Sequence, residues 1–382
     1  MNTLIKSLVV IFCLSLCSLP CFAACPSMDF TGDCIVDFED FALFAEQWLT
    51  TDPCVPDDLV YISDGTFQMG DSFGEGFSDE LPVHTVTLSS FAMGKYDITN
   101  QNYCDFLNSN IANLQVISGT VVDSNNNGYA YCQTSAWPSG HSLIDYNSVS
   151  KEFTVLTSGG RSAANDPMVY VTWVGAAAYC NWRSQQEGKP QCYNASDPNW
   201  PCDFTKHGYH LPTEAQWEYA ARGGISGQRF PWGDTISQTQ ANFYSESSFS
   251  YDVSPVKNQY HPLWHGGAYT SPVSFFNGTL KYKSDYNWPG SDSIYQTTSG
   301  ANNYGLHDMA GNVWQWCNDW YGSYSSDSQT NPTGPTSGTY RVLRGSAWNG
   351  GPYQSRVSYR NNCRDQWFRD WSLGFRIVLD LN

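Results

Sequence analysis

Residues 29–40 read Asp-Phe-Thr-Gly-Asp-Cys-Ile-Val-Asp-Phe-Glu-Asp and put side-chain oxygens at loop positions 1, 3, 5, 9 and 12: Asp29, Thr31, Asp33, Asp37 and Asp40. Calcium is a hard cation that takes several oxygens at once. This spacing wraps a loop around one ion, with the carbonyl of Ile35 at position 7. The plainer alternative is an acidic surface loop capping a helix. The pairs in His207-Gly208-Tyr209-His210 and His261–His265 have ligand-like spacing. Neither sits on a clear helix with a third ligand, so both read as ordinary histidines. Arg344, Arg356 and Arg360 could line a groove and hold an acidic peptide or sugar, or they brace a loop-rich core. There is no nucleophile elbow, phosphate loop or dinucleotide fingerprint.

The elements that must carry these groups follow from periodicity. Phe41, Phe44, Ala45, Trp48 and Leu49 form one helical stripe behind the acidic loop. Residues 51–58 are a short linker. Leu59–Ile62, Gly65–Gly70 and Val83–Leu88 alternate as strands. A helix is expected after Asp97, capped by Thr99 or Asn100, with Tyr103, Phe106 and Leu107 inside. A second runs from Trp173 to Gln185. A third is capped by Thr213 and ended by Gly223. Beyond residue 225 the periodicity fades, and buried aromatics and bound ions are the expected fixings.

The chain has 382 residues, of which 15% are aromatic and 14% charged, with a net charge of −17. That mix argues for an ordered, loop-rich fold and against nucleic acid as a partner. Residues 1–24 read as a signal peptide: Lys6, an apolar run from Leu8 to Leu19, then Phe22-Ala23-Ala24. The expected location is therefore extracellular or periplasmic, with a lipid anchor on Cys25 as the lesser alternative. No later segment is long and apolar enough to span a membrane. Of 13 cysteines, Cys13, Cys17 and Cys21 leave with the leader, and the ten that remain suggest disulfides. Cys192 and Cys202 are the expected bridge, with a local pair among Cys25, Cys34 and Cys54.

Two resemblances add to this. Residues 25–50 look like one repeat of a dockerin type I module, an EF-hand-like loop and helix, although Cys34 stands where the loop normally has Gly. That implies calcium and a cohesin-like partner, but a cohesin-gripping dockerin has two repeats. Residues 59–382 carry an ordered series of blocks: Gly65–Gly70, Asp97–Asn100, Leu211–Gly224, Phe230–Gly233, Tyr304–Leu306, Asp308–Trp316, Leu343–Ser346 and Leu373–Arg376. The series resembles the formylglycine-generating enzyme, or sulfatase-modifying factor, family. It implies an α+β fold related to C-type lectin-like domains, with little regular secondary structure and structural calcium.

The resemblance implies one calcium site at Asp308, Gly311, Val313 and Gln315, where the last ligand is usually Glu. It implies a second at Asn242 and the carbonyl of Phe243, whose acidic partner position falls on His265; Asp252 is a possible substitute. The family's copper(I)-binding cysteines match Asn349 and Gln354. Amides cannot replace thiolates toward a soft ion, so copper is not expected. The leading expectation is a non-oxidase binding or assembly module. Its cleft of Trp348, Tyr353, Arg356 and Arg360 would take a peptide or glycan. The rival is an active oxidase on sulfatase cysteines with relocated thiols, Cys317 and Cys363.

Overall fold

The structure is a computed structural model and describes residues 55–125, 128–135, 142–264, 269–362 and 364–381. The chain divides into units 1–53 and 54–382, and every described residue lies in the second. The leader, the acidic loop Asp29–Asp40 with its helix, Cys25, Cys34, Cys54, His265 and Cys363 all lie outside the described residues.

Three small sheets frame the domain. Strands β1 (Leu59–Ile62), β2 (Gly65–Met69), β3 (His84–Leu88) and β4 (Phe91–Gly94) open it. Later come β5 (Tyr209–His210), β6 (Trp314–Trp320), β7 (Gln329–Thr330), β8 (Arg341–Arg344), β9 (Leu373–Gly374) and β10 (Val378–Asp380). The first sheet is ordered β1-β4-β10-β5, so the last strand of the chain is a central one. The second is β7-β3-β2, and the third is β8-β6-β9 with β9 parallel to β6. Smaller ladders lie at Leu114–Gln133 and Ile144–Val155. This is a mixed α+β architecture with short elements and long connections.

Three helices pack on the sheets, and their ends follow local chemistry. α1 (Asn100–Ser109) starts at Thr99, whose hydroxyl accepts from the Asn102 N–H. α2 (Trp173–Gln186) starts at Thr172. α3 (Glu214–Ala221) starts at Thr213, and Gly223, at φ 59°, takes the left-handed turn that follows it. Every residue of α3 is buried, both glutamates included.

Aromatic packing joins helices to sheets. The Trp173 indole N–H donates to the Cys317 carbonyl at 2.8 Å, and the Trp316 indole donates to the Val171 carbonyl at 3.1 Å. Both rings are fully buried with their polar tips satisfied, so α2 is pinned to β6 without an unpaired group. Trp314 and Trp316 are core residues.

Candidate binding site

The β6–β8 pairing sets Gln315 opposite Arg344 and delivers the loop that follows β8. Gly345 and Ser346 take φ 88° and 69°, a left-handed turn. Glycine suits the first position, because a Cβ there would meet the Trp217 ring at 3.1 Å. The loop then closes on itself. The Gly350 N–H donates to the Ala347 carbonyl, and the Trp348 N–H donates to the Asn312 carbonyl, each at 2.9 Å. The Gln354 amide oxygen accepts from the Gly351 N–H at 3.0 Å. Gln354 therefore has a structural task, while Asn349 is exposed at the rim.

Aromatic rings surround this loop. Trp348 stacks on Tyr269 with centroids 4.5 Å apart and planes at 24°, and it meets Trp371 edge-on at 5.4 Å. Tyr260 and Tyr244 extend the group on one side. On the other, Tyr353 stacks on Phe249 at 5.5 Å and meets Tyr359 at 5.8 Å. Trp348 itself is buried, whereas Tyr353, Tyr260, Tyr269, Tyr359 and Trp371 are half-buried. Amphipathic ring faces around an amide-bearing loop can stack on sugar rings or on peptide side chains.

The arginines expected in this cleft are elsewhere occupied. Arg356 is 2% exposed and grips Glu80 with two bonds, 2.8 and 2.7 Å. Arg360 grips Glu214 in the same way, at 2.6 and 2.7 Å. Arg344 pairs with Glu218 and donates to the carbonyls of Val357, Ser358 and Tyr359. Burial of Glu214 alone would raise its pKa, but Arg360 and Arg344 outweigh burial and hold it below the ordinary carboxylate value. These arginines brace the core, and only Trp348 and Tyr353 of the expected cleft belong to the loop site. The glutamates went unread in the sequence. Two carboxylates one turn apart on a helix rich in Ala and aromatic residues were the available signal for buried cationic partners.

The profile of the sulfatase-modifying factor enzyme 1-like domain matches residues 46–381. The chain belongs to this sulfatase-modifying factor family. It is 30% identical over 324 residues to a formylglycine-generating enzyme of Streptomyces coelicolor, covering 80% of this chain and 81% of that one. It is 27% identical over 319 residues to a Bos taurus protein named inactive C-alpha-formylglycine-generating enzyme 2, with the same coverage. A Chlamydia caviae relative named serine/threonine-protein kinase pkn1 is 30% identical over 310 residues, but this chain spans only 35% of its length. Among solved structures, Treponema denticola variable protein 1 (TM-score 0.55, 22% identity) covers 85% of this chain and 95% of its own. PvdO from Pseudomonas aeruginosa (TM-score 0.52, 21% identity) covers 85% and 94%. Both share the fold.

The two positions expected to match the family's thiols lie on the aromatic loop: Asn349 is exposed, and Gln354 is the loop's own clasp. Cys317 offers no substitute. It is fully buried in the middle of β6, and burial pushes its thiol well above the ordinary value.

Two of the four residues expected to form the first calcium site, Gln315 and Asp308, make side-chain hydrogen bonds within the domain. The Gln315 amide nitrogen donates to the Asp308 carbonyl at 2.8 Å. Its oxygen accepts from the Trp217 indole at 2.7 Å and from Arg376 at 2.8 Å. Asp308 is the only carboxylate of the set, and it accepts from the Ser274 N–H at 2.9 Å. Burial raises its pKa to about 6. Gly311 and Val313 bring backbone alone. As placed, the set offers a cation one carboxylate and two carbonyls, while the Gln315 oxygen is taken up by an indole and a guanidinium. Of the second set, His265 lies outside the described residues. Asn242 donates to the Tyr269 carbonyl at 2.8 Å, and the Phe243 carbonyl accepts from Gln238 at 2.9 Å. Asp252 is paired with the Lys257 ammonium at 2.9 Å.

The expected Cys192–Cys202 bridge is likewise replaced. Both are free thiols, as are Cys104, Cys132, Cys180 and Cys317.

Proposed function

We propose that this chain is a non-oxidase binding or assembly module whose ligand, a peptide or glycan, lies on the aromatic floor around Trp348, Tyr353 and Trp371. The observation that carries this reading is the loop 345–354. It keeps a built surface of half-buried rings and carries amides where the family's redox thiols would be. The Bos taurus relative named inactive C-alpha-formylglycine-generating enzyme 2 supports the same direction. The sequence adds an exported location, from the leader at 1–24, and a calcium loop at Asp29, Thr31, Asp33, Ile35, Asp37 and Asp40 that would stabilise the front module or dock a cohesin-like partner.

The test uses the purified full chain. Peptide and glycan arrays identify a ligand, and titration calorimetry then compares wild type with Tyr353→Ala and Trp371→Ala. Loss of a buried aromatic contact of this size weakens binding by on the order of ten- to a hundred-fold. In parallel, the protein is loaded with copper(I) and incubated with a sulfatase-derived cysteine peptide. Aldehyde formation would overturn the non-oxidase reading. Unchanged affinity in both folded variants would remove the loop as the binding surface.

A further inference from the structure

Residues 192–202 bring two cysteines together on the side of the domain where α2 and β5 meet. Tyr193 and Cys202 form an antiparallel bridge. The Asp203 N–H donates to the Cys192 carbonyl at 2.9 Å, and the Asn194 N–H donates to the Pro201 carbonyl at 3.1 Å. The Cys192 thiol donates to the Lys206 carbonyl at 3.3 Å. Both cysteines line an open cavity of about 800 Å³, with Lys206, Asp203 and Asn194 on its wall.

The two sulfurs are not equivalent: Cys192 sits at the back of the cavity, 1% exposed, and Cys202 is partly exposed in front of it. Around Cys192 the fold assembles what a thiolate needs. The neighbouring Cys202 side chain and the Gly208 backbone both favour its charged form. Glycine at 208 permits the backbone's close approach, since a Cβ there would lie 3.1 Å from the sulfur and 1.9 Å from the Pro190 carbonyl. Behind it, His210 is fully buried and pairs with Asp380 at 3.0 Å. Burial opposes the charge on His210, but Asp380 and the Leu211 carbonyl prevail and lift its pKa to about 9. Positive charge on His210 in turn favours the Cys192 thiolate. The hydrogen bond from Cys202 comes first among the causes that bring Cys192 down to about 7, against the effect of burial. Cys202 moves the other way, well up, chiefly through burial.

We propose that Cys192 and Cys202 form a thiol–disulfide exchange site, separate from the aromatic loop, that takes a small disulfide of the glutathione type. Cys192 is the attacking sulfur and Cys202 the resolving one. The Cys192 thiolate attacks one sulfur of the incoming disulfide. That S–S bond breaks, and one thiolate leaves and picks up a proton. The Cys202 thiol then loses its proton and attacks the Cys192 sulfur of the mixed disulfide. The second thiolate leaves, and the Cys192–Cys202 bond closes. Two electrons pass from the protein pair to the external disulfide, which is released as two thiols.

The test is made on the reduced, folded full chain near pH 7 with oxidised glutathione. Alkylation and peptide mapping are expected to show complete loss of exactly the two thiols at 192 and 202, and their recovery on adding dithiothreitol without unfolding. The variant Cys202→Ser is expected to stop at a glutathione adduct on Cys192, and Cys180→Ser, its buried neighbour, to react as wild type. The proposal is overturned if both thiols in the folded wild-type protein stay open to alkylation after the incubation. It is also overturned if the bridge forms but resists reduction in the folded state, which would make it a structural cross-link. If either variant fails to fold, the wild-type measurement alone decides.

Discussion

Arg356 places two nitrogens on Glu80, a residue 276 positions away, with both side chains almost fully removed from water. Such a pair is a weak source of net stability, yet breaking it strands a buried charge. Arg356→Ala is therefore expected to destabilise the domain by about 3–5 kcal/mol, read by denaturant unfolding. Arg356→Lys should recover only part of that loss, because an ammonium cannot make the two-pronged contact. An unchanged midpoint for Arg356→Ala would return this arginine to the ligand cleft. Asp319 gives a pH-dependent case. Burial first, then the Glu214 charge, raises its pKa to about 7 from 3.8. Between those values the folded state holds a proton that the unfolded state has released, so stability falls as pH rises through that window and the loss is complete near 7. Its Oδ2 accepts from the Glu214 N–H, which an Asn oxygen can also do. Asp319→Asn should then melt higher than wild type at pH 7.5, and the gain should vanish near pH 4. A gain that persists at pH 4 would exclude this cause. At this scale the sequence was legible for residue type and silent on partner. Arg356 and Arg360 announce charge, but nothing local points to Glu80 or Glu214.

The helices were the most readable elements, because their signals are local. Thr99, Thr172 and Thr213 each sit at an N-cap, and α2 ends within a residue of its apolar pattern. The short ladders between residues 114 and 155 went unread, since strands of about four residues acquire their identity from the partner they pair with. The loop 345–354 is intermediate. Its place after β8 and its lack of thiols were legible, whereas the clasp from Gln354 to the Gly351 N–H was not. That clasp makes a prediction about the loop as a unit. Installing thiols in the double variant Asn349→Cys/Gln354→Cys should create copper(I) uptake that the wild-type loop lacks, because sulfur is the donor a soft ion requires. It should also release the Gly351 N–H and lower stability by about 1 kcal/mol, the net worth of one hydrogen bond. Competition against a copper(I) chelator and thermal unfolding measure the two effects. Equal copper uptake by wild type would contradict the assignment of these positions.

For the domain as a whole, the contacts that matter join distant parts of the chain. Glu80 meets Arg356, Glu218 meets Arg344, and β10 lies between β4 and β5 with strands from residues 91, 209 and 378 side by side. The last strand is therefore not a tail. Val378 and Leu379 are buried between two partners, and Asp380 supplies the Gln216 and His210 side chains with an acceptor. Arg376, just ahead, ties Gly94 and His307 carbonyls to Gln315. Removing residues 377–382 takes the middle strand from a four-stranded sheet and leaves β4 and β5 with unpaired backbone groups and the His210 imidazole without its counter-ion. The losses fall on one sheet that joins strands from residues 59 to 380, so they should act cooperatively rather than as local fraying. The truncated protein is expected to lose its near-ultraviolet dichroism, with tryptophans no longer held in fixed surroundings, and to be cleaved throughout residues 55–376 by limited proteolysis. A truncated chain that keeps that signal and yields a resistant core of the same size would show that the sheet closes without β10, and that the order β1-β4-β10-β5 is not what holds the domain together.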